Sequence, residues 1–145
     1  MDNIDKMIVD ILRQQGRISN KNLSELIGLN PSSTLERVKK LEERGIITGY
    51  SANLDYSKMG YTTMAIIQIA LERHNRAIID KFIEHISSLS EVTEIYHISG
   101  QYDYMLKVYV EDNKQLQHFL IENLTSFEFI SKTETLLVFE EKKIG

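Results

Sequence analysis

The hydrophobic pattern of the N-terminal third has a helical period and is interrupted twice. Ile4, Met7, Ile8, Ile11 and Leu12 fall at i, i+3, i+4, i+7 and i+8, one face of a first helix. Asp2 or Asn3 can cap its start and Gly16 ends it. Ser19 suits the N-cap of a second helix, with Leu23, Leu26 and Ile27 as its apolar residues and Gly28 as its stop. Asn30 caps a third helix with Pro31 at its first position, where a missing N–H costs nothing. Leu35, Val38 and Leu41 are its expected core positions, and Gly45 terminates it. Three short helices, the last two joined by a glycine-containing turn, read as helix-turn-helix.

After Gly45 the period changes. "IITGYSANL" alternates loosely and is expected to form a strand or wing. Turn formers gather in "DYSKMG", so residues 55–60 are expected to link a first domain, 1–54, to a second, 61–145. "YTTMAIIQIAL" (61–71) reads as a strand, followed by a helix with Ile78, Ile79, Phe82, Ile83 and Ile86 inward. "VTEIYHI" (92–98) and "YMLKVYV" (104–110) read as a hairpin around "SGQYD". Leu116, Phe119, Leu120 and Leu124 mark another helix, and "TETLLVFE" (133–140) a last strand. The order β-α-β-β-α-β is ferredoxin-like, so the fold class is α+β: a winged helix-turn-helix followed by a ferredoxin-like domain. Helices on one face of such a sheet leave the other bare. Met64, Ile66, Tyr96, Met105 and Val108 make the strands too apolar for that face to stay in water, and sheet-to-sheet dimerisation is the simplest remedy.

Placing Leu35, Val38 and Leu41 inward turns Ser33, Arg37, Lys40 and Arg44 outward, spaced i, i+4, i+7 and i+11. Ser32, Ser33 and Thr34 lie in the first turn, where free N–H groups and the helix dipole favour a phosphate. Arg37 is the best candidate for reading guanine, since only its fork gives bidentate donors to O6 and N7. A solvated surface helix with an ordinary cap would carry similar residues singly. The combination of two capped helices, a glycine turn and a basic stripe points to double-stranded DNA.

Charge sharpens this reading. The 145-residue chain carries a net −4, which by itself argues against a polyanionic partner. Within 13–44, however, Arg13, Arg17, Lys21, Arg37, Lys39, Lys40 and Arg44 outnumber Glu25, Glu36, Glu42 and Glu43. Cysteine is absent, which excludes disulfides, thiolate metal sites and a cysteine nucleophile. No apolar run approaches the ~18 residues of a membrane span and no signal peptide is recognisable, so a cytoplasmic protein without membrane contact is expected. His74, His85, His97 and His118 fall on different elements without metal spacing. No nucleophile elbow, P-loop or carboxylate pair gives an enzyme anything to work with. Catalytic residues, metal and cofactors are therefore expected to be none.

"RISNKNLSELIGLNPSSTLERVKKLEERGIITGY", with "IDKMIVDIL" before it, resembles the DNA-binding half of the Lrp/AsnC (feast/famine) family of prokaryotic transcription regulators. "GQYDYMLKV" resembles that family's effector-binding and oligomerisation domain. The likeness covers nearly the whole chain. It departs from the family pattern at Gln101, where an acid is common, and in "TSFEFISKT", which lacks a frequent Pro-Gly.

The resemblance implies that "SGQYDY" senses a small amino acid at contacts between dimers. The effector residues would be Ser99, Gly100, Gln101, Tyr102, Asp103 and Tyr104, with Thr133 and Thr135 reaching in from a neighbouring subunit. Turn N–H groups can hold a carboxylate and Asp103 can meet an ammonium. Read without the family, the same stretch is equally a β-turn in which Gly100 supplies backbone freedom and Asp103 bonds its own loop. The resemblance further implies a homodimer assembling to a tetramer or octamer. Two other readings remain open: an architectural DNA-binding protein that senses nothing, and a small dimeric αβ-barrel enzyme.

Overall fold

The computed structural model describes residues 1–72 and 74–144; Gly145, the last residue of the expected second domain, lies outside them. The chain divides into two compact units, the first built on residues 1–53 and the second on 54–142.

The first unit is three helices, α1 (Asn3–Gln14), α2 (Asn20–Ile27) and α3 (Pro31–Glu43). Each starts on a side-chain cap: Asp2 accepts from Asp5 N–H, Ser19 from Asn22 N–H and Asn30 from Ser33 N–H. Gly28 ends α2 at φ 75°, left-handed backbone that a side chain resists. Asn20 then donates to the Pro31 carbonyl at 2.8 Å, tying the starts of α2 and α3 together. Ile8, Leu23, Ile27 and Leu41 form the core, joined by Ile4, Ile11, Leu12, Ile18, Val38 and Ile47.

Three residues expected inside, Met7, Leu26 and Leu35, are exposed. For α3 the reason is geometric. Leu35, Val38 and Leu41 spread over about 120° of the helix, whereas Thr34, Val38 and Leu41 fit within about 60°. The narrower arc is buried, and Thr34 takes the inside position that Leu35 gives up. Residues 46–54, expected as a strand or wing, lead out of α3 as an irregular segment with no ladder partner, so no strand forms there.

In the second unit, the expected linker is a 3-10 turn (Tyr56–Met59) capped by Asp55, with Tyr56 stacked on Tyr109 at 3.9 Å between centroids. β1 (Thr63–Leu71), α4 (Arg76–Ser87), β2 (Val92–His97), β3 (Tyr104–Val110), α5 (Asn113–Phe119) and β4 (Ile130–Val138) follow. The helix predicted around Leu116 and Leu124 continues from α5 as a π-helical turn, Leu120–Thr125. The wider turn accommodates the five-residue step between buried Phe119 and Leu124.

The sheet is antiparallel throughout in the order β2-β3-β1-β4, the ferredoxin-like arrangement. One face carries Ala65, Ile67, Ile69, Leu71, Leu106, Val108 and Val110 against Phe82, Ile86, Leu116, Phe119 and Leu124. Val108, expected on the bare face, is therefore a core residue. Met64, Ile66, Met105, Tyr96, Leu136 and Val138 occupy the opposite face by strand alternation and register. Tyr96 and Leu136 there are exposed.

Candidate nucleic-acid interface and effector turn

The rotation of α3 relocates its basic stripe. With Thr34, Val38 and Leu41 inward, Ser33, Arg37, Lys40 and Arg44 lie about 90° round the helix, on its flank rather than opposite the core. They line a groove of about 480 Å³ together with Asp2, Asp5, Leu29 and Glu36. Thr34 is 0% exposed and its hydroxyl donates to the Asn30 carbonyl at 3.0 Å. As a candidate DNA contact it is therefore corrected: its side chain is a satisfied core group turned away from any ligand.

Arg37 is not free either. Its Nη1 donates to Asp2 Oδ2 at 2.8 Å and to Asp5 Oδ1 at 3.1 Å. The guanidinium hydrogen bond, reinforced by the Asp5 amide, holds the Asp2 carboxyl below the usual carboxylate range, and the same two acids raise Arg37. This clamp joins residues 35 and 32 positions apart, and no local pattern announces it. Lys40 is exposed beside Glu36 at 3.6 Å, Arg44 is exposed at the end of α3, and the Ser32 hydroxyl donates to Asn30 Oδ1 at 2.8 Å.

The second candidate cluster is the β2–β3 turn. Ser99, Gly100 and Gln101 are exposed, with Gly100 at φ 121°. Asp103 does not point into a loop of its own. Its N–H donates to the Ile69 carbonyl at 2.8 Å, its Oδ2 accepts the Leu71 N–H at 2.8 Å, and the His74 ring lies 3.3 Å from that oxygen. The carboxylate thus fastens the turn to the end of β1, beside the irregularity between Ala70 and Leu71.

Tyr104 is corrected as a ligand contact: it is buried, stacked on His97 at 4.8 Å and tilted against Phe82 at 4.9 Å. Burial, then Asp103 and Asp80, push its phenol up. Tyr102 is half-buried, with Lys132 Nζ 4.8 Å from its ring centre; burial and then its hydrogen bond to Glu134 raise its pKa. Lys132 and Glu134 were not anticipated, although their spacing of two on a strand places them on one face. Thr133 and Thr135 pair with Ile69 and Ile67, hence on the helix side of the sheet. Within one chain the structure does not bring them to the face that carries Glu134.

Among the described residues, no group of three or more His, Asp or Glu side chains is placed to hold a metal, and no helix is long and apolar enough to cross a membrane.

A capped helix-turn-helix followed by a ferredoxin-like domain with one open sheet face defines a two-domain DNA-binding regulator. Comparison with known proteins gives its family: residues 1–48 match the winged helix-turn-helix DNA-binding domain, and residues 64–145 match the Lrp/AsnC ligand binding domain. The chain belongs to the Lrp/AsnC family and is a transcription regulator of that type. It is 38% identical to transcriptional regulator AzlB of Bacillus subtilis over 143 residues, covering 99% of this chain and 91% of that protein. It is 36% identical to the leucine-responsive regulatory protein of Escherichia coli, covering 99% and 87%. Among solved structures, a Neisseria meningitidis transcriptional regulator in complex with L-Met superposes with a TM-score of 0.93 at 28% identity, covering 99% of this chain and 93% of that one. Escherichia coli AsnC gives 0.87 at 30% identity, covering 100% and 96%.

Proposed function

We propose that this regulator binds specific DNA sites as a homo-oligomer and that a small amino acid, bound beside the 98–103 turn, changes its assembly and thereby its occupancy. The observation that carries the reading is the pairing of a capped recognition helix with a ligand-binding domain whose turn is open to solvent while its base is fastened by Asp103. The likeness to a regulator solved with L-Met supports an amino acid as the effector class. Ser32, Ser33, Lys40 and Arg44 are assigned to DNA, the last three chiefly to phosphates, which position a protein without reading sequence. Ser99, Gly100, Gln101 and Tyr102 are assigned to the effector. Thr133 and Thr135 are assigned to the pocket of a neighbouring subunit, since their own chain keeps them on the other side of the sheet.

Two copies pair through the face bearing Met64, Ile66, Met105, Tyr96, Leu136 and Val138, whose burial removes apolar surface from water at ~25 cal/mol per Å². Further association of dimers gives the tetramer or octamer, and the protein acts in the cytoplasm. An effector moves such an equilibrium only by binding two assembly states with different affinity.

The test is a melting scan of the full chain against each of the twenty amino acids at millimolar concentration, followed by DNA titration with any that bind. A ligand at 100 times its Kd adds ~2.7 kcal/mol, worth several degrees. A shift confined to one chemically related set, with altered DNA affinity, is the expected result. No shift with any amino acid sinks the sensing half of the proposal and leaves an assembling DNA-binding protein.

A further inference from the structure

The rotation of α3 also determines which side chains face away from its core. Ser32, Glu36, Lys39 and Glu43 lie opposite Thr34, Val38 and Leu41, and Leu35 borders them. Leu35 is 46% exposed and is not among the residues packed on the hydrophobic cluster that Val38 and Leu41 join. It sits in the N-terminal half of the helix, the part that meets base edges in helix-turn-helix proteins. The thymine C5-methyl is the one apolar group displayed in the major groove, and a leucine flanked by a hydroxyl and charged groups is complementary to it.

Arg37 lies on the flank, its side chain 32% exposed and bonded to Asp2 and to an Asp5 that is 15% exposed. Both bonds leave from Nη1 and hold the guanidinium on the flank. Swinging it round to the outward face to read guanine would break both and leave two carboxylates unpaired near the phosphates. Asp2 also caps α1 through the Asp5 N–H at 2.8 Å, so the same cluster fixes where α1 begins.

We infer that α3 reads bases through Ser32, Leu35, Glu36 and Lys39, with Leu35 set against a thymine methyl group, and that Arg37 is a positioning residue clamping the start of α1 to the helix flank. This rests on the DNA-binding reading above and specifies it. Ser32 keeps lone pairs to accept from a base amino group, Glu36 accepts from cytosine N4, and Lys39 reaches a guanine edge or a phosphate.

The test uses the full chain and sites enriched by it from a random duplex pool. Each thymine of an enriched site is replaced singly by uracil, which removes only the methyl, and affinity is read by anisotropy at fixed salt. Wild type should lose about fourfold at one thymine per half-site, the worth of one buried methyl-sized group. Leu35→Ala should be indifferent to that replacement and keep every other base preference. Arg37→Ala and the conservative Asp5→Asn should weaken all sequences by a similar factor, with Arg37→Lys recovering part of it.

The inference is overturned if Leu35→Ala abolishes no uracil effect. It is equally overturned if Arg37→Ala relaxes preference at a single G·C pair, or if Asp5→Asn tightens binding by freeing the guanidinium. Failure to enrich any sequence is a different result: it removes the specific-DNA reading and the reading strip together.

Discussion

Replacing Asp103 by alanine removes the acceptor of the Leu71 N–H, at the point where β1 loses its regular pairing with β4. Leu71 is buried, so its amide has no ready substitute for that 2.8 Å bond. An orphaned buried amide costs ~1–3 kcal/mol. The carboxylate itself is 23% exposed, so water enters the space it vacates and the lower half of that range, ~1–2 kcal/mol, is expected. For a domain of this size each kcal/mol lowers Tm by ~4–8 °C. The second unit of Asp103→Ala should therefore melt at least ~4 °C below wild type, and the Leu71 amide should exchange about 5- to 30-fold faster. Asp103→Asn keeps a carbonyl oxygen at the same place and should recover more than half of the loss. Melting followed by circular dichroism, with amide exchange resolved at Leu71, measures both. If Asp103→Ala melts within a degree of wild type and Leu71 exchanges unchanged, the carboxylate does not fasten the turn. Its role would then lie in contact with the effector.

Asn30→Ala removes the acceptor of both the Ser33 N–H and the Ser32 hydroxyl, each at 2.8 Å, and should cost the first unit ~1 kcal/mol; an unchanged urea midpoint would show the cap to be dispensable. At high pH, Tyr109 is pushed up to about 12 by burial and its bond to Glu141. Burial pulls Lys107 down, but its bonds to Glu141 and Tyr109 more than reverse this and leave it raised. Both groups hold their protons more tightly when folded, so their stabilisation is complete below about pH 10 and is lost as pH rises toward about 12. Urea midpoints measured from pH 8 to 11.5 should fall along this window, and Tyr109→Phe should flatten the slope; an equally steep slope in the variant would place the alkaline transition elsewhere.

What was legible in the sequence is what short-range rules govern. The helix starts at Asp2, Ser19 and Asn30, the left-handed stop at Gly28, the hairpin strands and the inward Phe82 and Ile86 all depend on residues within about a turn of one another. The same local signals, in order along the chain, carried the family resemblance and with it the class of function. Boundaries were less legible where pairing rather than propensity decides. β4 begins at Ile130 rather than Thr133 because β1 extends the ladder back to Leu71, and 46–54 has strand-like residues but no partner.

The chemistry of the site was decided by tertiary structure. Pattern alone gives a stripe of Ser33, Arg37, Lys40 and Arg44; it does not say which way the helix rolls. Packing α3 against α1 and α2 chose Thr34 over Leu35 for the inside, because a narrow arc buries better than a broad one and the Thr34 hydroxyl finds the Asn30 carbonyl. That roll turned Arg37 toward Asp2 and Asp5 and left Leu35 outside. Likewise, one sequence can place Asp103 in a turn, but only the approach of β1 gives its carboxylate the Leu71 N–H. Local sequence fixes which groups each element offers, and the partners they find, 32 to 35 residues away, exist only once the elements have packed.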